Sequence, residues 1–167
     1  MTNTASSFQQ ELAALLPRLR RFARSLVFNR EDADDLVQVA VERALVRASQ
    51  WEEGTRLDSW LFRIIKNAWI DEVRSRIRRD KLFAPEEAGE HVGDDFAQAQ
   101  QQRMAINKAI SLLSDDHRMV VALVLVDGMA YQEAADVLEL PVGTLMSRLA
   151  RARTALQGHL SDQARTV

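Results

Sequence analysis

The sequence predicts an all-α protein of two small helical domains joined by a flexible acidic linker. Apolar residues recur at helical spacing through most of the chain, and strand-like alternation of apolar and polar residues is absent. One central stretch, which contains Pro85, two glycines and five acids, interrupts the helical pattern. We therefore expect domains at residues 8–80 and 102–162, with residues 81–101 as the linker.

The composition excludes several classes of protein. A hydrophobic content of 47% is enough to build a core, so the chain is not a disordered tail. No apolar run approaches the roughly 20 residues of a membrane span, and the N-terminus has no signal-peptide core. The absence of cysteine excludes disulfides, thiolate zinc sites and thiol catalysis. These features predict a cytoplasmic protein.

The net charge of −2 is unevenly distributed along the chain. Residues 63–81 contain seven basic and three acidic side chains, whereas residues 81–102 contain one basic and five acidic ones. Because neutralisation of phosphates supplies most non-specific affinity for DNA, such a chain should bind bare DNA weakly. If it acts on DNA, another component must bring it there.

The first two predicted helices span residues 8–28 and 32–48. The second begins at an acidic cluster, residues 31–35, which the helix dipole favours. Its expected inward face consists of Leu36, Val37, Ala40, Ala44 and Leu45. Asp35, Gln38 and Glu42 line the outer face at helical spacing. This outer face suits a basic or polar protein surface and would repel DNA, although a merely solvated helix is an equally good interpretation.

The third predicted helix, residues 57–79, has apolar residues on two sides, and Asp58 or Ser59 can cap its start. What remains is a polar stripe formed by Arg63, Asn67, Asp71, Arg74 and Arg78. A stripe of this kind suits a nucleic-acid backbone. The alternative is a solvated face in which Asp71 pairs with Arg74 or Arg78. In the preceding loop, residues 50–56, we expect Trp51 to lie in the core rather than to stack on an exposed base.

The C-terminal part predicts helices at residues 102–113 and 115–126, followed by two helices with a tight joint. The first of these, residues 131–137, contains the small residues Ala134 and Ala135, which permit close helix packing. Residues 138–140 form the turn, and Pro141 suits a helix start because it lacks an N–H.

The last helix has an expected inward face of Val142, Leu145, Leu149, Ala152 and Leu156. Its opposite face carries Gly143, Thr144, Ser147, Ala150 and Arg151, with Arg148 and Arg153 on the flanks. This pattern predicts a helix-turn-helix whose second helix lies in the DNA major groove.

No constellation of residues suggests catalysis or metal binding. Only three histidines are present, His91, His117 and His159, and none stands at ligand spacing from acidic residues. A phosphate-binding glycine loop is also absent from the sequence. We therefore expect a protein that is not an enzyme, with no catalytic residue, no metal and no cofactor.

Three stretches follow one another along the chain: DADDLVQVAVERAL, SWLFRIIKNAWIDEVRSRIRR and AYQEAADVLELPVGTLMSRLARAR. In this order and spacing they resemble the bacterial group IV (extracytoplasmic-function) sigma factors of the sigma-70 family. The resemblance extends over residues 8–160. It implies a promoter-specificity subunit of RNA polymerase, in which residues 8–80 bind the core enzyme and open the −10 element and residues 102–162 read the −35 element.

The resemblance also assigns roles to particular residues. Asp35 and Gln38 match the family's D-x-x-Q surface for the clamp helices of the β′ subunit, with Glu42 on the same face; the β subunit is a further expected partner. Asn67, Asp71 and Arg74 match the N-x-x-x-D-x-x-R run of the −10 helix, and residues 50–56 correspond to the loop that holds a flipped base. Arg63 and Arg78, on the same polar stripe, are the further −10 contacts that we expect. The −35 contacts correspond to Thr144, Ser147, Arg148, Arg151 and Arg153. Met146 departs from the pattern, because many members carry Arg or Lys there.

The resemblance further implies control by an anti-sigma factor. Two other functions remain open at this stage. A free-standing helix-turn-helix regulator would use the front half for dimerisation or sensing. A sigma mimic would sequester an anti-sigma factor without binding DNA, but it would have no need of the arginines at positions 148, 151 and 153.

Overall fold

The structure, a computed structural model, describes residues 3–80 and 97–166, and these two ranges contain helices and no strand. The α-helices are α1 (Asn3–Leu26), α2 (Arg30–Val46), α3 (Leu57–Asp80), α4 (Ala97–Ser111), α5 (Asp115–Val121), α6 (Tyr131–Leu138) and α7 (Val142–Arg165). A 3-10 turn (Ala48–Gln50) follows α2, and a π turn (Ala122–Val126) extends α5. The all-α prediction is confirmed, while most of the predicted linker, residues 81–96, lies outside the described residues.

Helices α1, α2 and α3 pack together as the N-terminal domain, residues 3–80. Helix α2 begins after Asn29, whose side chain accepts hydrogen bonds from the backbone N–H groups of Glu31 and Asp32. Four of the five residues expected to face inward from α2 are buried. Leu45 is the exception, with 45% of its surface exposed. It lies about 100° around the helix from the fully buried Ala44, which turns it away from the core.

The centre of the N-terminal domain is an aromatic contact between α1 and α3. The rings of Phe22 and Phe62 pack edge to face with centroids 4.7 Å apart, and both side chains are essentially inaccessible to solvent. We expect Phe62→Ala to lower the free energy of unfolding by about 3–5 kcal/mol, because it removes a buried ring and leaves a cavity. Urea unfolding followed by circular dichroism measures this. Leu45→Ala is the control, and an equal loss in both variants would contradict the packing.

Helices α4 to α7 form the C-terminal domain, residues 97–166. The π turn ends with a hydrogen bond from the N–H of Asp127 to the carbonyl of Ala122, 2.9 Å long, and Gly128 then turns the chain with a φ of 79°. Along α7, Leu145, Leu149 and Ala152 are buried as expected. Val142 is 38% exposed, contrary to the prediction, because it is the first residue of α7 and lies beyond the edge of the core.

The two domains are in direct contact. One apolar cluster continues from α1, α2 and α3 into α5, the π turn, α6 and α7. Helix α1 contacts the π turn, and α3 contacts α6. The sequence did not indicate how the domains sit relative to one another. In this arrangement, which we call the closed arrangement, they share a core.

Candidate nucleic-acid interface

The helix-turn-helix consists of α6 and α7. Ala134, Ala135 and Val137 of α6 are fully buried, so the helices approach closely, as the small residues predict. Leu138 is still part of α6, one residue later than expected, and the chain reverses at Glu139, which has a φ of 57°. The N–H of Leu140 then bonds to the carbonyl of Ala135 at 2.9 Å, which fixes the turn ahead of α7.

Thr144, Ser147 and Arg151 share one face of α7, which we call the groove face, and Arg153 lies on its flank; all four are exposed. The hydroxyl of Ser147 donates to the carbonyl of Gly143, 3.1 Å away in the preceding turn. Arg148 differs, because its side chain is half-buried and lies 3.7 Å from the carboxylate of Asp116. The structure therefore gathers four of the five predicted −35 residues on open surface and places Arg148 against α5.

The polar stripe of α3 divides into two parts. Asn67, Asp71, Arg74 and Arg78 are exposed. Arg63 is half-buried instead, and its guanidinium donates to the backbone carbonyl of Asp136 in α6 over 3.0 Å. The alternative pairing of Asp71 with Arg74 or Arg78 is wrong, since Asp71 accepts from Arg43 of α2 at 3.1 Å.

The loop before α3 packs Trp51 against the core, as expected. Its ring is 5.6 Å from that of Phe8 and tilted by 49°, and the residue is half-buried. Helix α3 begins at Leu57, so Asp58 lies in the first turn rather than at the predicted cap position. Its carboxylate accepts the N–H of Ser59 at 2.8 Å and also binds Arg18 and Arg56.

Two neighbouring arginines lower the pKa of the Asp58 carboxyl. Burial by itself would raise the pKa of this carboxyl, but hydrogen bonds from Arg56 and Arg18 outweigh burial and lower the pKa to about 2. Because the folded-state pKa lies below the unfolded value near 4, Asp58 stabilises the fold above about pH 4 and loses this contribution as pH falls toward 2.

We expect Asp58→Asn to remove the loss of folding stability that protonation of this carboxyl causes at low pH. The wild-type chain should lose about 1 kcal/mol more stability between pH 4 and 2 than the variant does, because solvent screens part of the interaction with the arginines. Urea unfolding at a series of pH values measures the difference. Asp34→Asn, at an exposed carboxylate, is the matched control. The same pH slope in the wild type and in Asp58→Asn would contradict the role of Asp58.

The outer face of α2 is exposed at all three predicted positions, Asp35, Gln38 and Glu42. The amide of Gln38 donates to the carboxylate of Glu42 over 3.4 Å, one turn along the helix. No described ion pair engages Asp35. An exposed carboxylate and an amide on a rigid helix are available to a polar or basic protein surface.

Sequence reasoning missed a set of charged contacts between the domains. Arg18 of α1 binds both carboxylate oxygens of Asp127, at 2.8 and 2.7 Å, and Asp58 at 2.7 Å. Hydrogen bonding to Asp127 raises the pKa of Arg18 despite its partial burial. Arg56 pairs with Glu133 of α6 as well as with Asp58. Nothing local in the sequence signals these contacts, because the partners across the domains are 77 and 109 positions apart.

Within the described ranges, no cluster of three or more His, Asp or Glu side chains could hold a metal ion. Across residues 3–80 and 97–166, no helix has the length and apolar character required to cross a membrane. The described surface therefore offers exposed arginines on α3 and α7 and an exposed polar face on α2. A helix-turn-helix with exposed arginines on its second helix is typical of a DNA-binding protein.

Comparisons with known proteins identify the family. The sigma-70 region 2 model matches residues 12–79, and the sigma-70 region 4 model matches residues 103–156. The chain is 34% identical to the ECF RNA polymerase sigma factor EcfG of Rhodopseudomonas palustris, over 92% of this chain and 85% of that protein. It is 29% identical to SigW of Bacillus subtilis over 80% of this chain and 78% of the relative. The chain belongs to the ECF family of RNA polymerase sigma factors.

Solved structures agree with this assignment. The sigma factor RpoE of Bartonella quintana, crystallised with the anti-sigma factor NepR, is 34% identical and superposes with a TM-score of 0.78 over 93% of this chain and 97% of its own. CnrH, in complex with the cytosolic domain of CnrY, is 27% identical with a TM-score of 0.71, over 95% of this chain and 93% of its own. The fold is thus that of a sigma factor in both domains.

Proposed function

We propose that this chain binds core RNA polymerase and directs transcription initiation at a particular set of promoters. The observation that carries the proposal is the presence, on one sigma-factor fold, of an exposed groove face on α7 and a separate exposed outer face on α2. A DNA-reading surface and a protein-docking surface on different helices suit a subunit that delivers an enzyme to a DNA sequence. The role is one of binding, without catalysis or a cofactor, in the cytoplasm where the polymerase acts.

The groove face of α7 is proposed to read the −35 element. Arg151 and Arg153 are exposed long cations, and Thr144 and Ser147 are small hydroxylated residues that let the helix lie deep in the major groove. Arg148 contacts DNA after its pair with Asp116 is exchanged for a phosphate. Half of the Met146 surface is exposed, so an apolar side chain stands at a position where many members carry a cation.

The N-terminal domain is proposed to open and hold the −10 element. Asn67, Arg74 and Arg78 form an exposed row on α3, Arg63 lies at its start, and residues 50–56 provide the loop for an unstacked base. Base stacking contributes about 1–3 kcal/mol per base, which biases strand opening without melting DNA unaided. We accordingly assign the functional domains to residues 8–80 and 102–162, with residues 81–101 connecting them.

Polymerase binding is proposed to use the outer face of α2. Asp35, Gln38 and Glu42 would meet the clamp helices of the β′ subunit, and the C-terminal domain would contact the β subunit. We also propose that an anti-sigma factor holds the chain inactive, by analogy with the complexes of RpoE with NepR and of CnrH with CnrY. Its binding would compete with the polymerase for these surfaces.

A shared fold does not favour the sigma-mimic alternative over the DNA-reading function. The chain superposes on 48% of the anti-anti-sigma factor PhyR of Bartonella quintana with a TM-score of 0.57, but at 18% identity this likeness extends to the fold alone. The exposed arginines of α7 favour the DNA-reading function instead.

Run-off transcription tests the proposal. Purified core polymerase is supplied with fragments of the source genome, with and without this protein. We expect new discrete transcripts that depend on the protein. Core binding without transcripts would favour a mimic, and neither binding nor transcripts would favour a free-standing regulator.

A further inference from the structure

We propose that Met146 determines part of the promoter specificity, because its side chain packs against the C5 methyl group of a thymine in the −35 element. The inference rests on the proposed function, since it names the base that one position of α7 reads. It concerns a residue at which this chain differs from the many family members that carry Lys or Arg.

Met146 is an exposed apolar residue on a helix whose inner side is packed by other residues. Half of its surface is accessible, whereas Leu145, the preceding residue, and Leu149, one turn later, are almost completely buried. An apolar side chain that stays in contact with water contributes less to folding than a buried one. The packing of α7 on the core therefore does not depend on an apolar side chain at this position.

The position of Met146 around α7 lies between two of the predicted DNA contacts. At about 100° per residue, Arg153 lies roughly 20° from Met146 on one side, and Ser147 lies about 100° from it on the other. Both Arg153 and Ser147 are exposed. DNA that contacts these two residues together therefore also covers the side chain of Met146.

Met146 lies close to the N-terminus of α7. The helix begins at Val142, so Met146 is in its second turn. In helix-turn-helix proteins, the residues near the N-terminus of the second helix contact the edges of bases. Ala150, one turn further along, is exposed and small, so it leaves room for a base beside Met146.

The chemistry of methionine favours thymine among the four bases. Lys or Arg at this position would donate to the N7 and O6 acceptors of guanine. Methionine has no polar hydrogen to donate, but its flexible thioether packs against apolar groups of irregular shape. In the major groove, the C5 methyl of thymine is the apolar group that a base pair presents. Met146 in place of a cation therefore changes the preferred base from guanine to thymine.

Substitution of deoxyuridine in the promoter tests the inference, because uracil differs from thymine only by the missing C5 methyl group. The DNA is a promoter fragment obtained by run-off transcription, and each thymine of its −35 element, on either strand, is replaced in turn. With the wild-type protein and core polymerase, we expect one of these replacements to lower transcription by about fourfold, as for the loss of one buried methyl group.

Three variants separate the methyl contact from other effects of substitution. Met146→Gln keeps the length of the side chain but makes its end polar, so transcription should no longer depend on the methyl group. Met146→Leu keeps the end apolar and should retain a dependence of about twofold or more. Met104→Gln is the matched control, because Met104 lies on α4 with 46% of its surface exposed. It should show the same fourfold dependence as the wild type.

The quantity compared is the ratio of transcription from the thymine fragment to transcription from the uracil fragment, so differences in polymerase binding between variants cancel. A ratio of one at every thymine in the wild type would overturn the inference, even if transcription depends on the protein. So would an undiminished ratio in Met146→Gln or a ratio of one in Met146→Leu. Loss of core binding and of transcripts in the wild type would instead refute the proposed function.

Discussion

Replacing Arg151 by alanine is expected to lower transcription from the protein's promoters by about tenfold to a hundredfold, the effect of losing a bidentate base contact of roughly 1–3 kcal/mol. The residue is exposed on the groove face of α7, and the buried side chains of Leu145 and Leu149 on the opposite side of the helix do not depend on it. Core polymerase binding should be unchanged. Run-off transcription and a direct binding assay with labelled protein measure the two quantities separately.

The control for Arg151 lies on the same helix. Arg165 is also exposed, but it is 14 residues further along α7, which is about 21 Å at 1.5 Å per residue. Arg165→Ala should leave transcription within about twofold of the wild type, as expected for a surface change outside the binding face. A loss of polymerase binding in Arg151→Ala would refute the assignment of α7 to DNA, because the arginine would then act on the protein partner.

The double variant Asp35→Arg, Gln38→Ala is expected to weaken the affinity for core polymerase by about tenfold or more, because charge reversal introduces repulsion where complementarity was required. Both side chains are exposed on α2, so the change should not unfold the domain. A titration of core polymerase against dye-labelled protein gives the dissociation constant. Since reading of the −35 element uses α7, a loss of transcription in this variant should follow from the loss of polymerase binding.

Asp162→Arg tests whether the change in net charge alone explains the lower affinity of the α2 double variant for core polymerase. It makes the same reversal of an exposed carboxylate on α7, far from the outer face of α2. We expect it to bind core polymerase like the wild type. Equal affinities for the wild type and the α2 double variant would remove the clamp-helix proposal.

Much of the fold could be predicted from the sequence because the signals are local. The apolar spacing on α7 places Leu145, Leu149 and Ala152 inside and Thr144, Ser147 and Arg151 outside, as the structure has them. The errors fall at the edges of elements. Val142 and Leu45 carry apolar side chains, but the core does not extend to the first turn of α7 or to that side of the last turn of α2.

The candidate site was less predictable than the fold. The polar stripe placed Arg63 with the −10 residues, but in the structure its guanidinium donates to the carbonyl of Asp136. For Asp71 the sequence suggested ion-pair partners on its own helix, but in the structure its carboxylate binds Arg43 of α2. Spacing along a helix shows which side chains share a face, but a long cation can reach groups on neighbouring elements as readily as those on its own.

The sequence by itself determined the class, the helices, the helix-turn-helix and the family, because apolar period, turn residues and motifs are properties of short stretches of chain. Only the tertiary structure decided how the domains meet. The pairing of Arg18 with Asp127 joins positions 109 residues apart, and that of Lys66 with Glu139 depends on a left-handed turn for which glycine is the usual residue. Such contacts arise from the docking of two preformed surfaces, so no local pattern encodes them.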